Sequence, residues 1–174
     1  MPKLGLLHLA PCALVIVVSA CGDDDADIPP TAALDASCLE AELPPTNGTV
    51  REWLDTQVNY GTWAQESGPH PSSGPHFGDV LTYVNTCLEQ SMAARNESHP
   101  VGAASVKEFF GSEGGTEVQG WAVSVKVDDS GGGDDWYWYE RFQGEIFADA
   151  RGDSLCVNCH NDGIDHVLTT YPLQ

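Results

Sequence analysis

From residue 101 onward, apolar and polar side chains alternate with a period of two, the pattern of strands that bury one face. Ala103 to Phe110 puts Ser105, Lys107 and Phe109 on one side and Val106, Glu108 and Phe110 on the other. Trp121, Val123, Val125 and Val127 line one side of a longer strand, with Ala122, Ser124 and Lys126 opposite. Asp128 to Asp135 is a run of Asp, Ser and Gly that reads as a flexible hairpin loop. Trp136 to Phe142 is the returning strand, and Gly144 to Ala148 is a candidate for one more. Before residue 101 the pattern differs. Thr49 and Glu52 have capping-box spacing, and Val50, Trp53, Leu54 and Val58 follow at helical intervals. A Gly-, Pro- and Ser-rich loop from Ser67 to Gly78 carries His70 and His76. Asp79 to Val84 is rich in strand formers, and Asn85 suits the N-cap of a helix reaching about Arg95. The chain shows no internal repeat. These elements predict one α+β domain over residues 49–174, rich in antiparallel sheet, with a few helices.

Residues 1–20 read differently again. Lys3 precedes an apolar run from Leu4 to Val18, broken by Pro11 and shorter than the roughly 20 residues of a membrane span. The run closes on Val18-Ser19-Ala20-Cys21, which resembles the bacterial lipobox. There the leader is cut before the cysteine, and acyl chains on the cysteine anchor the protein. An ordinary secretory leader with an incidental cysteine is the competing reading. On the lipoprotein reading the chain sits in the bacterial cell envelope, facing the periplasm or exterior, and touches membrane only through Cys21. Residues 21–48 then form a lipidated, largely disordered tether, Asp-, Ala- and Pro-rich at its start. Cleavage removes Lys3 and leaves six basic residues against 26 acidic ones, a balance of −20. So acidic a chain has no footing for nucleic acid, and the charge either solvates the surface or steers a cationic partner.

Six cysteines sort by position. Cys12 leaves with the leader and Cys21 takes lipid. Cys38 and Cys87 make the economical disulfide in an oxidising compartment, two free buried thiols being the alternative. Cys156-Val157-Asn158-Cys159-His160 carries the strongest chemistry. Two thiols at that spacing reach the two vinyl groups of one haem, and the adjacent histidine is carried under the iron as proximal ligand. A zinc site of Cys156, Cys159, His160 and His166, or a redox-active dithiol, are the competing readings. The residue opposite His160 then separates an electron carrier from an open haem. Met92, His70, His76, His99 and His166 are candidates, with His76 in Gly74-Pro75-His76-Phe77-Gly78 foremost.

Beyond this motif, Ser73-Gly74-Pro75-His76, Tyr83-Val84-Asn85, Val106-Lys107-Glu108-Phe109, the strand Trp121–Val127 and Trp136-Tyr137-Trp138-Tyr139-Glu140 occur in order. After it come Asp165-His166-Val167-Leu168 and Tyr171-Pro172-Leu173. In this order the segments resemble the cytochrome P-460 family, which includes the cytochrome c′-beta proteins, over residues 49–174. The resemblance implies a β-rich domain, often dimeric, around one covalent haem c that is open on the side away from its histidine. It implies oxidation of hydroxylamine or binding of nitric oxide, with a redox-partner cytochrome where there is turnover. A gas-binding sensor without turnover is the related alternative, and a plain electron carrier is a third. Lys107 matches the lysine that P-460 bonds to the porphyrin edge, with Lys126 second. One departure stands out. Oxidising members carry a carboxylate on the strand matched to Trp121–Val127, where this chain offers Ala122 and Ser124, with Glu117 only at its start. Glu140 is the candidate proton relay in its place.

Overall fold

Seven antiparallel strands make one sheet in the computed structural model, which describes residues 43–55 and 60–174. All of these belong to one compact unit. The expected leader, the cysteine expected to carry lipid (Cys21), Cys38, most of the tether and Val58 lie outside the described residues. At the tether's end, Pro44 is buried.

The strands are β1 (Ala64–Gln65), β2 (His70–Pro71), β3 (Asp79–Val84), β4 (Ala104–Phe109), β5 (Gly120–Lys126), β6 (Trp136–Phe142) and β7 (Glu145–Arg151). Their order is β1-β3-β4-β5-β6-β7, with β2 also pairing β3. Helices α1 (Val50–Asp55), α2 (Thr86–Ala93) and α3 (Ser154–His160) complete the fold. The α+β expectation holds, and β3, β4, β5 and β6 lie within a residue or two of their expected bounds. β7 runs to Arg151, beyond the expected Ala148.

Alternation along the strands gives the sheet two unlike faces. On one, Val106, Val123, Val125, Tyr137 and Tyr139 pack with Val50, Trp53 and Leu54 of α1. Trp136 and Trp138 belong to the other, where Leu88 and Met92 of α2 and Val157 of α3 meet them. Glu108 on the α1 face is buried and accepts hydrogen bonds from Tyr60 (2.8 Å) and Tyr83 (3.3 Å). Burial nonetheless pushes its carboxyl above the usual range.

Asn85 does cap α2, and it does more. Its Oδ1 accepts from Leu88 N and from Ala104 N (each 3.0 Å), while Nδ2 donates to Gly102 O (2.8 Å). One fully buried amide thus ties the helix start to β4. The helix ends at Ala93, short of Arg95, which turns into the left-handed region at φ 57. The β5–β6 loop, expected to be flexible, is closed around Asp135, whose Oδ2 accepts from Gly131 N (2.5 Å) and Gly132 N (3.3 Å). Thr49 donates its hydroxyl to Asn47 Oδ1 (2.8 Å).

Cys87 is buried and disulfide-bonded. Its expected partner, Cys38, lies outside the described residues. Peptide mapping without reduction should recover these two segments linked, and closing such a loop is worth about 3–4 kcal/mol on the chain-entropy account. A peptide joining Cys87 to any other cysteine would refute the pairing. Asn85→Ala should cost about 2–4 kcal/mol, since a cap is lost and buried backbone groups are left unpaired. Urea denaturation measures it, and a loss under about 1 kcal/mol would show that water replaces the amide.

Candidate functional site

Strand register assembles the site from the floor up. On the face opposite α1, Lys107, Ala122, Glu140 and Ala148 lie side by side across four strands. The next row is Phe109, Gly120 and Phe142, and the row on the other side is Ser105, Ser124 and Trp138. β5 therefore contributes only Gly120, Ala122 and Ser124 to the floor. Gly120 has no room for a side chain, because a Cβ there would overlap the backbone of Arg141 and Phe142.

Bordering this floor at Lys107 and Glu140 lies a cavity of about 500 Å³, within the size range of ligand sites. His76, Lys107, Glu140, Cys156, Cys159 and His160 all line it. So do Phe147, Leu155 and Leu168, which are 38%, 55% and 47% exposed and form an unusual concentration of open apolar surface. Phe147 is the extra residue of a β-bulge, where β7 slips by one against Glu140 and Arg141. Such bulges re-aim side chains toward sites.

α3 delivers both thiols and His160. Gly152 turns the chain at φ 65, in a position where a Cβ would strike Asp134, and Asp153 then caps the helix by accepting from Leu155 N (3.0 Å). Val157 seats α3 against Gly133, where a Cβ would overlap the valine methyls. Cys156 and Cys159 are free thiols. The His160 ring packs 4.7 Å from Trp138, and its Nδ1 lies 2.8 Å from the His166 carbonyl oxygen. A carbonyl only accepts, so Nδ1 carries the proton and Nε2 is left with its lone pair free. Burial keeps the ring neutral by lowering its pKa, only partly opposed by the His166 contact.

Charge in the cavity is concentrated in one row. Burial pushes the Lys107 ammonium below the usual lysine range, and Glu66 and Glu140 counter this from either side. Burial likewise raises the Glu140 carboxyl, opposed by Lys107. His76 stacks on Phe109 (5.1 Å, 24°), and its Nδ1 lies 3.5 Å from Glu140 Oε2. Burial, then Lys107 and His160, hold its pKa down to about 3, so the imidazole is neutral and that contact is not an ion pair. Three buried polar atoms around the site have no hydrogen-bond partner: His76 Nδ1, Trp138 Nε1 and His166 Nδ1.

The structure brings Cys156, Cys159, His160, His76, Lys107 and Glu140 together. Lys126 falls elsewhere. It is 1% exposed and ion-paired to Asp165 (2.6 Å) and Asp129 (3.1 Å), which removes it as the second lysine for the site. Glu117 is exposed and outside β5. His99 and Met92 line a separate cavity of about 430 Å³. His70 stands exposed at the rim, 3.2 Å from Glu66. Glu66 was not foreseen. It lines the cavity and accepts from Thr82 N (2.7 Å), yet it lies in a segment without periodicity, so no pattern marks it.

The residues fit a haem: two free thiols, a neutral histidine with its outer nitrogen available, a ligand-sized cavity with open apolar walls, and orphaned polar atoms around it. They fit the alternatives less well. Among the described residues no three His, Cys, Asp or Glu side chains gather as a metal site by themselves. Burial drives the Cys156 thiol up to about 12, the reverse of what a redox-active dithiol needs. Searched against models of known protein families and against curated proteins, the chain gives no match.

The His76 shift predicts a pH dependence. Its folded pKa lies below the ordinary 6.5, so its contribution to stability is complete above that value and is lost as pH falls toward about 3. Urea denaturation at about pH 7 and about pH 4.5 should show wild type losing stability over that interval that His76→Phe retains. Equal losses in both proteins would contradict the assignment.

Proposed function

We propose that this chain is an exported, lipid-anchored c-type cytochrome. It would carry one haem on Cys156 and Cys159 with His160 as a ligand to its iron, and bind or transform small nitrogen oxides such as hydroxylamine or nitric oxide. The observation that carries this reading is the meeting of both thiols and a pre-oriented His160 in a cavity with Lys107, Glu140 and His76. The haem, when bound, supplies a redox-active iron with a coordination position for a small ligand.

The chain's own residues supply the rest. His166 O fixes the tautomer of His160 and raises its basicity as a ligand. Phe147, Leu155 and Leu168 give the cavity an apolar wall for the cofactor to pack on. Glu140, whose proton is held more tightly than on a surface glutamate, and the neutral His76 beside it suit proton exchange with a small polar ligand. Lys107 offers the ammonium for an anionic group, or the amine for a bond to the porphyrin edge that the P-460 resemblance implies.

A second reading, electron transfer, has one observation in its favour. The His76 and His160 rings lie 6.4 Å apart between centroids and line the same cavity, so both could serve one iron. His76 would then hold the iron together with His160.

Haem should survive denaturing electrophoresis when the protein is matured with haem-attachment machinery, and Cys156→Ala with Cys159→Ala should abolish it. Zinc without iron in that protein would overturn the proposal. Prompt uptake of carbon monoxide by the ferrous protein supports the open site, and refusal supports closure by His76. Turnover of hydroxylamine with an electron acceptor separates an enzyme from a binding protein. Intact mass reads Lys107: a bond to the porphyrin removes hydrogens from the summed mass, a deficit that Lys107→Ala restores.

A further inference from the structure

The turn after α3 holds two successive non-glycine residues in the left-handed region, Asp165 at φ 45 and His166 at φ 65. Side chains rarely adopt it, and such pairs persist where the surroundings over-determine them. Here the surroundings converge on one carboxylate. Asp165 Oδ2 accepts from Lys126 Nζ (2.6 Å), His99 N (2.7 Å) and Ser98 Oγ (3.3 Å), and Oδ1 accepts from Trp136 Nε1 (3.4 Å). Lys126 rises from the sheet on the same face as Lys107, so the ion pair fastens the turn to β5.

The turn is also closed locally. Ile164 N donates to Val167 O (3.1 Å) and Val167 N to Ile164 O (2.9 Å). Between these two bonds the peptide of His166 has little freedom, and its carbonyl stands 2.8 Å from His160 Nδ1. His160 itself lies at the end of a short helix with no buried residue, so its ring takes its bearing from outside the helix. We infer that Asp165, anchored by Lys126, is a positioning residue that aims the His166 carbonyl at His160. It would thereby set the tautomer and plane in which that histidine meets iron. This rests on the haem reading above.

The test compares wild type with Asp165→Ala, Asp165→Asn and Asp129→Asn in protein matured with haem. Asp129 pairs with the same lysine but is 69% exposed and is not part of the turn, so it serves as the control. Resonance Raman of the ferrous proteins reads the iron–histidine stretch, which responds to the Nδ1 hydrogen bond. The stretch should fall in frequency and broaden in Asp165→Ala, shift less in Asp165→Asn, and stay in place in Asp129→Asn. A merely structural Asp165 would lower the melting temperature with the band unmoved, and that result in either folded Asp165 variant overturns the inference. Should Asp165→Ala fail to fold, Asp165→Asn decides alone.

Absence of covalent haem in wild type would count against the haem reading only. Nitrogen NMR of labelled histidine in that same protein would then decide the positioning claim. A His160 Nδ1 proton present in wild type and Asp129→Asn but lost in the Asp165 variants supports it, and one retained in all overturns it.

Discussion

The approach of Lys107 to Glu140 depends on one strand that is large on one side and small between them on the other. β5 sends Trp121, Val123 and Val125 into the α1 core and Gly120, Ala122 and Ser124 to the opposite face, where only its last residue, Lys126, is large. Burying a large apolar side chain is worth about 1.5–3 kcal/mol, and the site face forgoes that gain along the middle of the sheet. What it obtains is a floor over which Lys107 and Glu140 approach each other across Ala122, and over which Phe109 and Phe142 flank Gly120. Phe77 settles on that aromatic pair, stacked on Phe142 at 4.0 Å and tilted against Phe109 at 5.9 Å. The neighbouring cavity of about 500 Å³, with Phe147, Leu155 and Leu168 open around it, has the size and the apolar wall of a ligand site.

The same hollow decides how charge is arranged. An ammonium lowered into such a space is costly unless paired, and Lys107 has a carboxylate on either side, Glu66 and Glu140. The resulting set is one cation, two carboxylates and a histidine that cannot itself charge near neutrality. His76 is kept neutral by burial first, and the neighbouring ammonium adds to that. Glu140, whose pKa burial raises, thus stands beside an imidazole that stays neutral, a polar pair in an otherwise apolar wall. Where the P-460 resemblance implies a carboxylate, β5 offers only Ala122 and Ser124, and Glu140 stands beside Ala122 one strand over.

Period-two patterning made the two sheet faces legible in the sequence, because inward and outward positions must alternate whatever the strand pairs with. It therefore placed Lys107 with Ser105 and Phe109, and Ala122 with Ser124, on the face that carries the cavity. Asn85 was legible as a cap because capping is local; its bonds to Gly102 and Ala104 were not, because those residues are nearly 20 positions away. Glu66 was invisible for the same reason. It reaches the site because its backbone N and its carboxylate bond to Thr82, on a strand 16 residues later. β1 and β2 are two residues each, too short for any periodicity to register.

The two lysines show where such reading ends. Lys107 and Lys126 share a sheet face and flank the same hollow in sequence pattern, yet only one belongs to the cavity. The difference comes from the chain beyond His160, which has no regular helix or strand and no period to reveal it. That segment brings Asp165 to Lys126, Val167 and Leu173 to the α2 cluster, and the Gln174 carbonyl to Ser67 N at 2.8 Å. A helix as short as α3 is not stable by itself in water, and none of its residues is buried. Its place is set by contacts made to it: Val157 against Gly133 before the motif's last cysteine, and the His166 carbonyl against His160 after it. The thiols and the histidine are thus carried by the least self-sufficient element of the fold, and a covalent bond from each thiol to a group filling the cavity would be the contact that α3 otherwise lacks.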